Sequence, residues 1–177
     1  MKPEGNLILV GMMGAGKTSV GRMLARRLKR SFYDSDEEIE RRCGVKVPVI
    51  FDIEGEAGFR ARESQVIAEL CELERVVLAT GGGAVLAEHN RRRLASHGTV
   101  VYLHARPAQL WQRLRQVRNR PLLATAEPQK KLETLYAQRD PLYREVADLV
   151  LDTGKQSVQA LARELLARLD NPCRLSA

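Results

Sequence analysis

Residues Gly11-Met12-Met13-Gly14-Ala15-Gly16-Lys17-Thr18 carry the spacing G-x-x-x-x-G-K-[ST]. Glycines at these positions let a loop turn its backbone N–H groups onto phosphate oxygens without side chains in the way. A helix that starts directly behind the loop adds the positive end of its dipole. Gly14, Ala15 and Gly16, with Ser19 just beyond, are therefore expected to cradle a triphosphate. Lys17 is expected to reach its β- and γ-phosphates, and Thr18 to place its hydroxyl on Mg²⁺. The chemistry predicted is the holding of a nucleoside triphosphate and transfer of its terminal phosphoryl group.

Three other sets could complete such a reaction. Asp34-Ser35-Asp36 offers carboxylates for Mg²⁺ and for orienting a hydroxyl. The same residues could serve only as a helix cap, with Ser35 or Asp36 opening the next helix. Gly81-Gly82-Gly83 could be a plain loop or could open the backbone to a substrate. Arg60 in Gly58-Phe59-Arg60, Arg120 before Pro121 and Arg139 before Asp140-Pro141 stand singly. Each alone could be a surface charge. Together they imply a second anion besides the triphosphate and a mobile cation that closes over the phosphates, since a guanidinium fork grips carboxylate and phosphate bidentately.

The elements that must position these residues follow from periodicity. Strands are predicted at Asn6–Val10, Ser31–Asp34, Arg75–Thr80, Thr99–Leu103 and Ala147–Asp152. Helices are predicted at Lys17–Leu28, Asp36–Cys43, Val47–Asp52, Gly58–Leu73, Ala87–Ser96, Pro107–Arg115, Gln129–Ala137 and Gln156–Leu169. Gln116–Pro128 lacks periodicity and reads as a loop or lid, and residues 171–177 as a frayed tail. Alternating strands and helices predict an α/β fold: a parallel sheet of five strands with helices on both faces. In such folds ligands bind beyond the carboxyl ends of the strands, where every motif above falls.

The 177 residues fit one domain, 1–177, with a small lid at about 115–128. No stretch approaches the roughly 18 apolar residues of a membrane span. The N-terminus leads into a four-residue apolar run and not a signal core, so a cytoplasmic protein is expected. Cys43, Cys71 and Cys173 show no C-x-x-C spacing and read as isolated reduced thiols. The net charge is +7, with 22 Arg against 7 Lys. The one basic run, Arg91-Arg92-Arg93, reads as a solvated helix face, and no aromatic-and-basic motif for nucleic acid is present.

The ordered set resembles the shikimate kinase family. Gly11 to Ala25, Phe32-Tyr-Asp-Ser-Asp36 with Glu-Glu-Ile-Glu40, Gly55-Glu-Ala-Gly-Phe-Arg60 with Glu63, Gly81–Gly83, Arg120-Pro-Leu-Leu123 and Arg139-Asp-Pro-Leu-Tyr143 match in order and spacing, over residues 6 to 169. The resemblance implies a three-layer P-loop kinase fold and transfer of phosphoryl from ATP to the 3-hydroxyl of shikimate. It implies that Asp36 binds the shikimate hydroxyls and acts as base. Arg60 and Arg139 would grip the carboxylate, and Gly82, with Gly81 and Gly83, would contact the substrate through the backbone. Arg120 would come from the lid onto the phosphates, and Asp34 with Thr18 would hold Mg²⁺. Arg113 and the stretch near Gln156 would flank the adenine. Pro48 departs from the usual residue and is expected to affect local geometry only. The partners implied are ATP and shikimate, with no nucleic acid, no membrane and a monomeric state. Two alternatives stay open: a gluconate or nucleotide kinase, and a non-catalytic nucleotide-binding regulator.

Overall fold

The structure is a computed structural model and describes residues 5–115, 121–154 and 156–170. Strand β1 (Asn6–Val10) is buried along its whole length and forms the centre of the sheet. It lies between β3 (Val77–Ala79) and β4 (Gly98–His104), with β2 (Phe32–Asp34) and β5 (Leu149–Asp152) outside them. All pairings are parallel, with Leu9 opposite Ala79 and Val10 opposite Tyr102. A strand paired on both sides and covered on both faces must be continuously apolar, which is why Leu7 to Val10 carries no alternation.

Helix α1 (Lys17–Leu28) buries Val20 and Leu24, with Met23 and Leu28 packed beside them, on the stripe its 3.6-residue period specifies. Helix α2 (Ser35–Cys43) ends at Gly44 in the left-handed conformation (φ 70°). Helix α3 (Val47–Cys71) is broken at Gly55 (φ 70°, ψ −178°), between the two helical pieces expected from sequence. Pro48 sits in its first turn, where the missing N–H costs nothing. Helices α4 (Glu88–His97), α5 (Pro107–Leu114), α6 (Pro128–Val146) and α7 (Val158–Asp170) complete the layers.

Several boundaries differ from the sequence expectation, most by a residue or two, and two differences have a clear physical reason. The strand predicted at Arg75–Thr80 is trimmed to Val77–Ala79, because Arg75 takes a left-handed turn (φ 57°). The helix predicted at Gln129–Ala137 continues to Val146, through Pro141. Proline inside a helix removes a backbone hydrogen bond and normally ends it. Here Leu132, Leu135, Arg139, Tyr143 and Val146 form one buried stripe, and that packing carries the helix through. Arg139 consequently projects from a helix. Within the predicted lid, Pro121–Leu123 forms a 3₁₀ turn.

Arg91, Arg92 and Arg93 each pair with a carboxylate, of Glu145, Glu88 and Glu72 respectively. Arg92 lies on a solvated face as expected, whereas Arg91 is largely buried and also donates to the carbonyls of Val85 and Leu86. Cys43 and Cys71 are free thiols, and Cys173 lies outside the described residues. No described helix is long and apolar enough to cross a membrane.

Candidate active site

The carboxyl ends of β1, β2 and β3 deliver three loops to one edge of the sheet. Behind β1, Gly11 (φ 141°), Gly14 (φ 78°) and Gly16 (φ 95°) adopt backbone angles that side chains resist. A Cβ on Gly11 would lie 2.6 Å from the Leu103 carbonyl oxygen. Gly16 precedes α1, and among the described residues no side chain caps that helix, so its start faces the loop without a capping side chain. The Ala15 N–H turns inward onto the Met12 carbonyl at 3.2 Å. Lys17 is nearly buried, and its Nζ donates to the carbonyls of Gly11 (2.7 Å) and Met12 (2.8 Å). A cavity of about 370 Å³ opens over this loop, walled by Gly14, Gly16, Lys17, Thr18 and Ser19 and, opposite, by Asp34 and Asp36.

Behind β2, Asp34 does two jobs. Its Oδ1 accepts from the N–H groups of Asp36 (3.0 Å) and Glu37 (3.4 Å), and its Oδ2 accepts the Thr18 hydroxyl at 2.7 Å. The cap of α2 is therefore Asp34, and not Ser35 or Asp36 as the sequence suggested. Asp34 is the last residue with extended backbone (φ −120°, ψ 123°), which is the conformation an N-cap needs. The buried Ser35 hydroxyl instead accepts the N–H of Gly81 at 2.9 Å, tying the acidic segment to the loop behind β3.

That loop shows why three glycines are needed. A Cβ on Gly81 would collide with Glu63 Oε1 and lie 2.6 Å from Asp36 Oδ1. A Cβ on Gly83 would occupy the space of the Arg60 guanidinium. The glycines thus let charged side chains pack directly on the backbone. Arg60 pairs with Glu63 (2.7 Å) and with Glu56 (3.1 Å), and lies over the Phe59 ring at 5.2 Å. Burial opposes the Arg60 charge, and Glu63 and Glu56 outweigh it and raise its pKa. Glu63 is fully buried, and burial raises its carboxyl above the ordinary value against the pull of Arg60.

Arg139 reaches the same place from α6. It is 1% exposed, and its Nε and Nη1 meet no acceptor among the described residues. Burial is the main cause that lowers its pKa. A buried guanidinium with open donors is expensive unless an anion completes it. Arg139, Arg60, Glu63, Asp36 and the three glycines line a second cavity of about 60 Å³, together with Met13, Phe51, Phe59 and Leu122.

The structure therefore brings Asp36, Arg60, Gly81, Gly82, Gly83 and Arg139 together beside the triphosphate cradle. Arg113 lies on the cradle's far side, donating to the carbonyls of Gly14 (3.1 Å) and Gly154 (2.7 Å) and to the Thr153 hydroxyl (3.2 Å). Gln156 is exposed and donates to Glu164 at 3.1 Å, away from both cavities. Arg120 lies outside the described residues. Sequence reasoning quoted Glu63 without giving it a part. Its signal was the i, i+3 spacing from Arg60, which puts both on one helix face.

The family model for shikimate kinase matches residues 13–170. A shikimate kinase from Thiobacillus denitrificans is 59% identical over 170 residues, 96% of this chain and 93% of the relative.

The chain belongs to the shikimate kinase family.

Among solved structures, a shikimate kinase from Acinetobacter baumannii in complex with shikimate superposes with a TM-score of 0.94 at 47% identity, covering 97% of this chain and 96% of the other. A gluconokinase from Sinorhizobium meliloti superposes at only 0.62 with 19% identity over 97% of this chain and 95% of the other, a likeness of fold alone.

Proposed function

We propose that this chain transfers the γ-phosphoryl group of ATP to the 3-hydroxyl of shikimate, giving shikimate 3-phosphate and ADP. The observation that carries the reading is Arg139, a buried cation with two open donors at the wall of the acceptor cavity. Shikimate carries a carboxylate that would complete it, with Arg60 as the second grip. The hydroxyl oxygen forms a bond to the γ-phosphorus as the bond from that phosphorus to the bridging oxygen breaks, and the hydroxyl proton passes to a base. Asp36 stands between the two cavities and is the group placed to orient that hydroxyl and take its proton.

Lys17 and the first-turn N–H groups of α1 are placed to bind the phosphates and stabilise their charge. Lys17 must leave the carbonyls of Gly11 and Met12 to do so. Thr18 and Asp34 fit a Mg²⁺ site: a hydroxyl and a carboxylate oxygen lie side by side at the cradle, leaving other positions to water and phosphate. A Mg²⁺ ion held there would neutralise triphosphate charge. By resemblance Arg113 would flank the adenine, which its bond to the Gly14 carbonyl is compatible with, and Gln156 would have to turn from Glu164 to join it. By resemblance Arg120 would close over the phosphates from a lid at about 115–128. One monomeric domain acting in the cytoplasm is the simplest setting, supported by isolated thiols and by the lack of a spanning helix among the described residues.

The test offers ATP with shikimate, gluconate or a nucleoside monophosphate and identifies the product by phosphorus NMR. Phosphorylation of shikimate alone, at the 3-position, is expected. Preference for another acceptor would overturn the reading.

A further inference from the structure

The segment Arg139-Asp140-Pro141-Leu142-Tyr143 contributes more to the site than its arginine. Tyr143 lies one helical turn after Arg139 and is fully buried. Its hydroxyl donates to the Gly82 carbonyl and lies 3.7 Å from the Met12 sulfur. Gly82 itself is wedged between the two cavities: a Cβ there would lie 3.3 Å from the Met13 nitrogen and 3.6 Å from Arg139 Nη1. One phenol therefore touches the triple-glycine loop and the triphosphate loop at once, from the helix that carries the buried arginine.

We propose that Tyr143 is a positioning residue for the acceptor, fixing the peptide plane of Gly82 and its distance from Arg139. The inference rests on the shikimate kinase reading above. The physical need is specific. A run of three glycines has the widest conformational freedom a chain offers, so the loop requires an external tether. Ser35 holds its start through the Gly81 N–H, and Tyr143 holds its middle through the Gly82 carbonyl. A carbonyl fixed on one side of the Gly82–Gly83 peptide sends the Gly83 N–H to the other side, because the peptide is planar and trans. Tyr143 is itself held. Its ring packs on Tyr102 at 4.9 Å between centroids, and the Tyr102 hydroxyl donates to Asp140 Oδ1 at 2.8 Å, which anchors α6 to β4. Burial pushes the Tyr143 phenol well above its ordinary pKa, so it stays a donor throughout the working range of pH.

The test compares Tyr143→Phe with Tyr102→Phe, which removes the hydroxyl of an equally buried neighbouring ring that does not bond the glycines. The first readout is backbone NMR of ¹⁵N-glycine-labelled protein without substrates. In Tyr143→Phe the signals of Gly82 and Gly83 should move and their amides exchange at least about tenfold faster, the loss of one buried hydrogen bond. Gly16 and Gly44 should stay in place, and Tyr102→Phe should leave Gly82 and Gly83 unmoved. The second readout is steady-state kinetics with each substrate varied. Tyr143→Phe should raise KM for shikimate about tenfold or more, with KM for ATP changed less than about threefold. Unmoved glycine signals, or equal changes for both substrates, would overturn the proposal. The NMR arm judges Tyr143 even if shikimate proves not to be the acceptor, and wild-type turnover judges that reading separately.

Discussion

The two halves of the site are built on opposite plans. On the proposed reading, the donor half comes from one continuous stretch, residues 11–19, and relies on backbone: glycines in positive φ, a helix start with no side-chain cap among the described residues, and a single lysine. Its cavity holds about 370 Å³. The acceptor half is assembled from α2, α3, the triple-glycine loop and α6, and relies on charge drawn into the protein: buried Glu63 and Arg139, with Arg60 partly buried beside them. Its cavity is about 60 Å³. A triphosphate brings strong charge of its own and can be held by N–H groups common to many loops. A small carboxylic acid must be recognised by a constellation that is incomplete without it.

The largest test of this division removes one group from each half. Lys17→Ala and Asp36→Ala should each lower kcat by about a thousandfold or more while leaving the melting temperature within a few degrees. Asp36→Ala should still bind ATP with near-normal affinity, whereas Lys17→Ala should bind it weakly. Near-normal turnover in either variant would break the division.

A smaller contrast comes from two glycines. In Gly11→Ala the new Cβ meets the fixed backbone oxygen of Leu103 at 2.6 Å, at a φ of 141°. The cost should fall on stability, at about 1–3 kcal/mol in denaturant unfolding. In Gly83→Ala the obstacle is the movable end of Arg60. Stability should change little, while KM for shikimate rises about tenfold. Reversal of these two outcomes would show that the halves do not differ in rigidity as described.

The smallest effect expected is a pH dependence that only the acceptor half shows. Glu63 binds its proton more tightly when folded than its ordinary value of 4.5, mainly through burial. Between that value and the raised one, the native state holds more protons than the unfolded state. Stability from this group is therefore present at low pH and lost as pH rises through the window. Urea midpoints of wild type relative to Glu63→Gln should fall over that window and level off above it. A difference that grows with pH would contradict burial as the dominant influence on Glu63.

The same contrast explains what could be read in the sequence. The donor half was legible residue by residue, because its geometry is local and its spacing fixed. The five strands were legible because a doubly covered parallel sheet needs unbroken apolar runs. The acceptor half was legible only as an ordered set of motifs, since Asp36, Arg60, Gly82 and Arg139 meet through tertiary structure. Nothing local announced that Asp34 would be the cap of α2, or that α6 would run through Pro141. Both follow from contacts across the fold: the Thr18 hydroxyl on Asp34, and the buried stripe from Leu132 to Val146. Arg139 lies beyond the helix that periodicity predicts and alone reads as a surface charge, so its burial could not be inferred without the longer helix.

The central claim is that the buried guanidinium of Arg139 awaits a carboxylate. Calorimetric titration of the wild-type protein with shikimate and with its carboxamide tests this without altering the chain. The account predicts that the carboxamide, which lacks the charge, binds about a hundredfold more weakly. Equal affinity for the two compounds would contradict it.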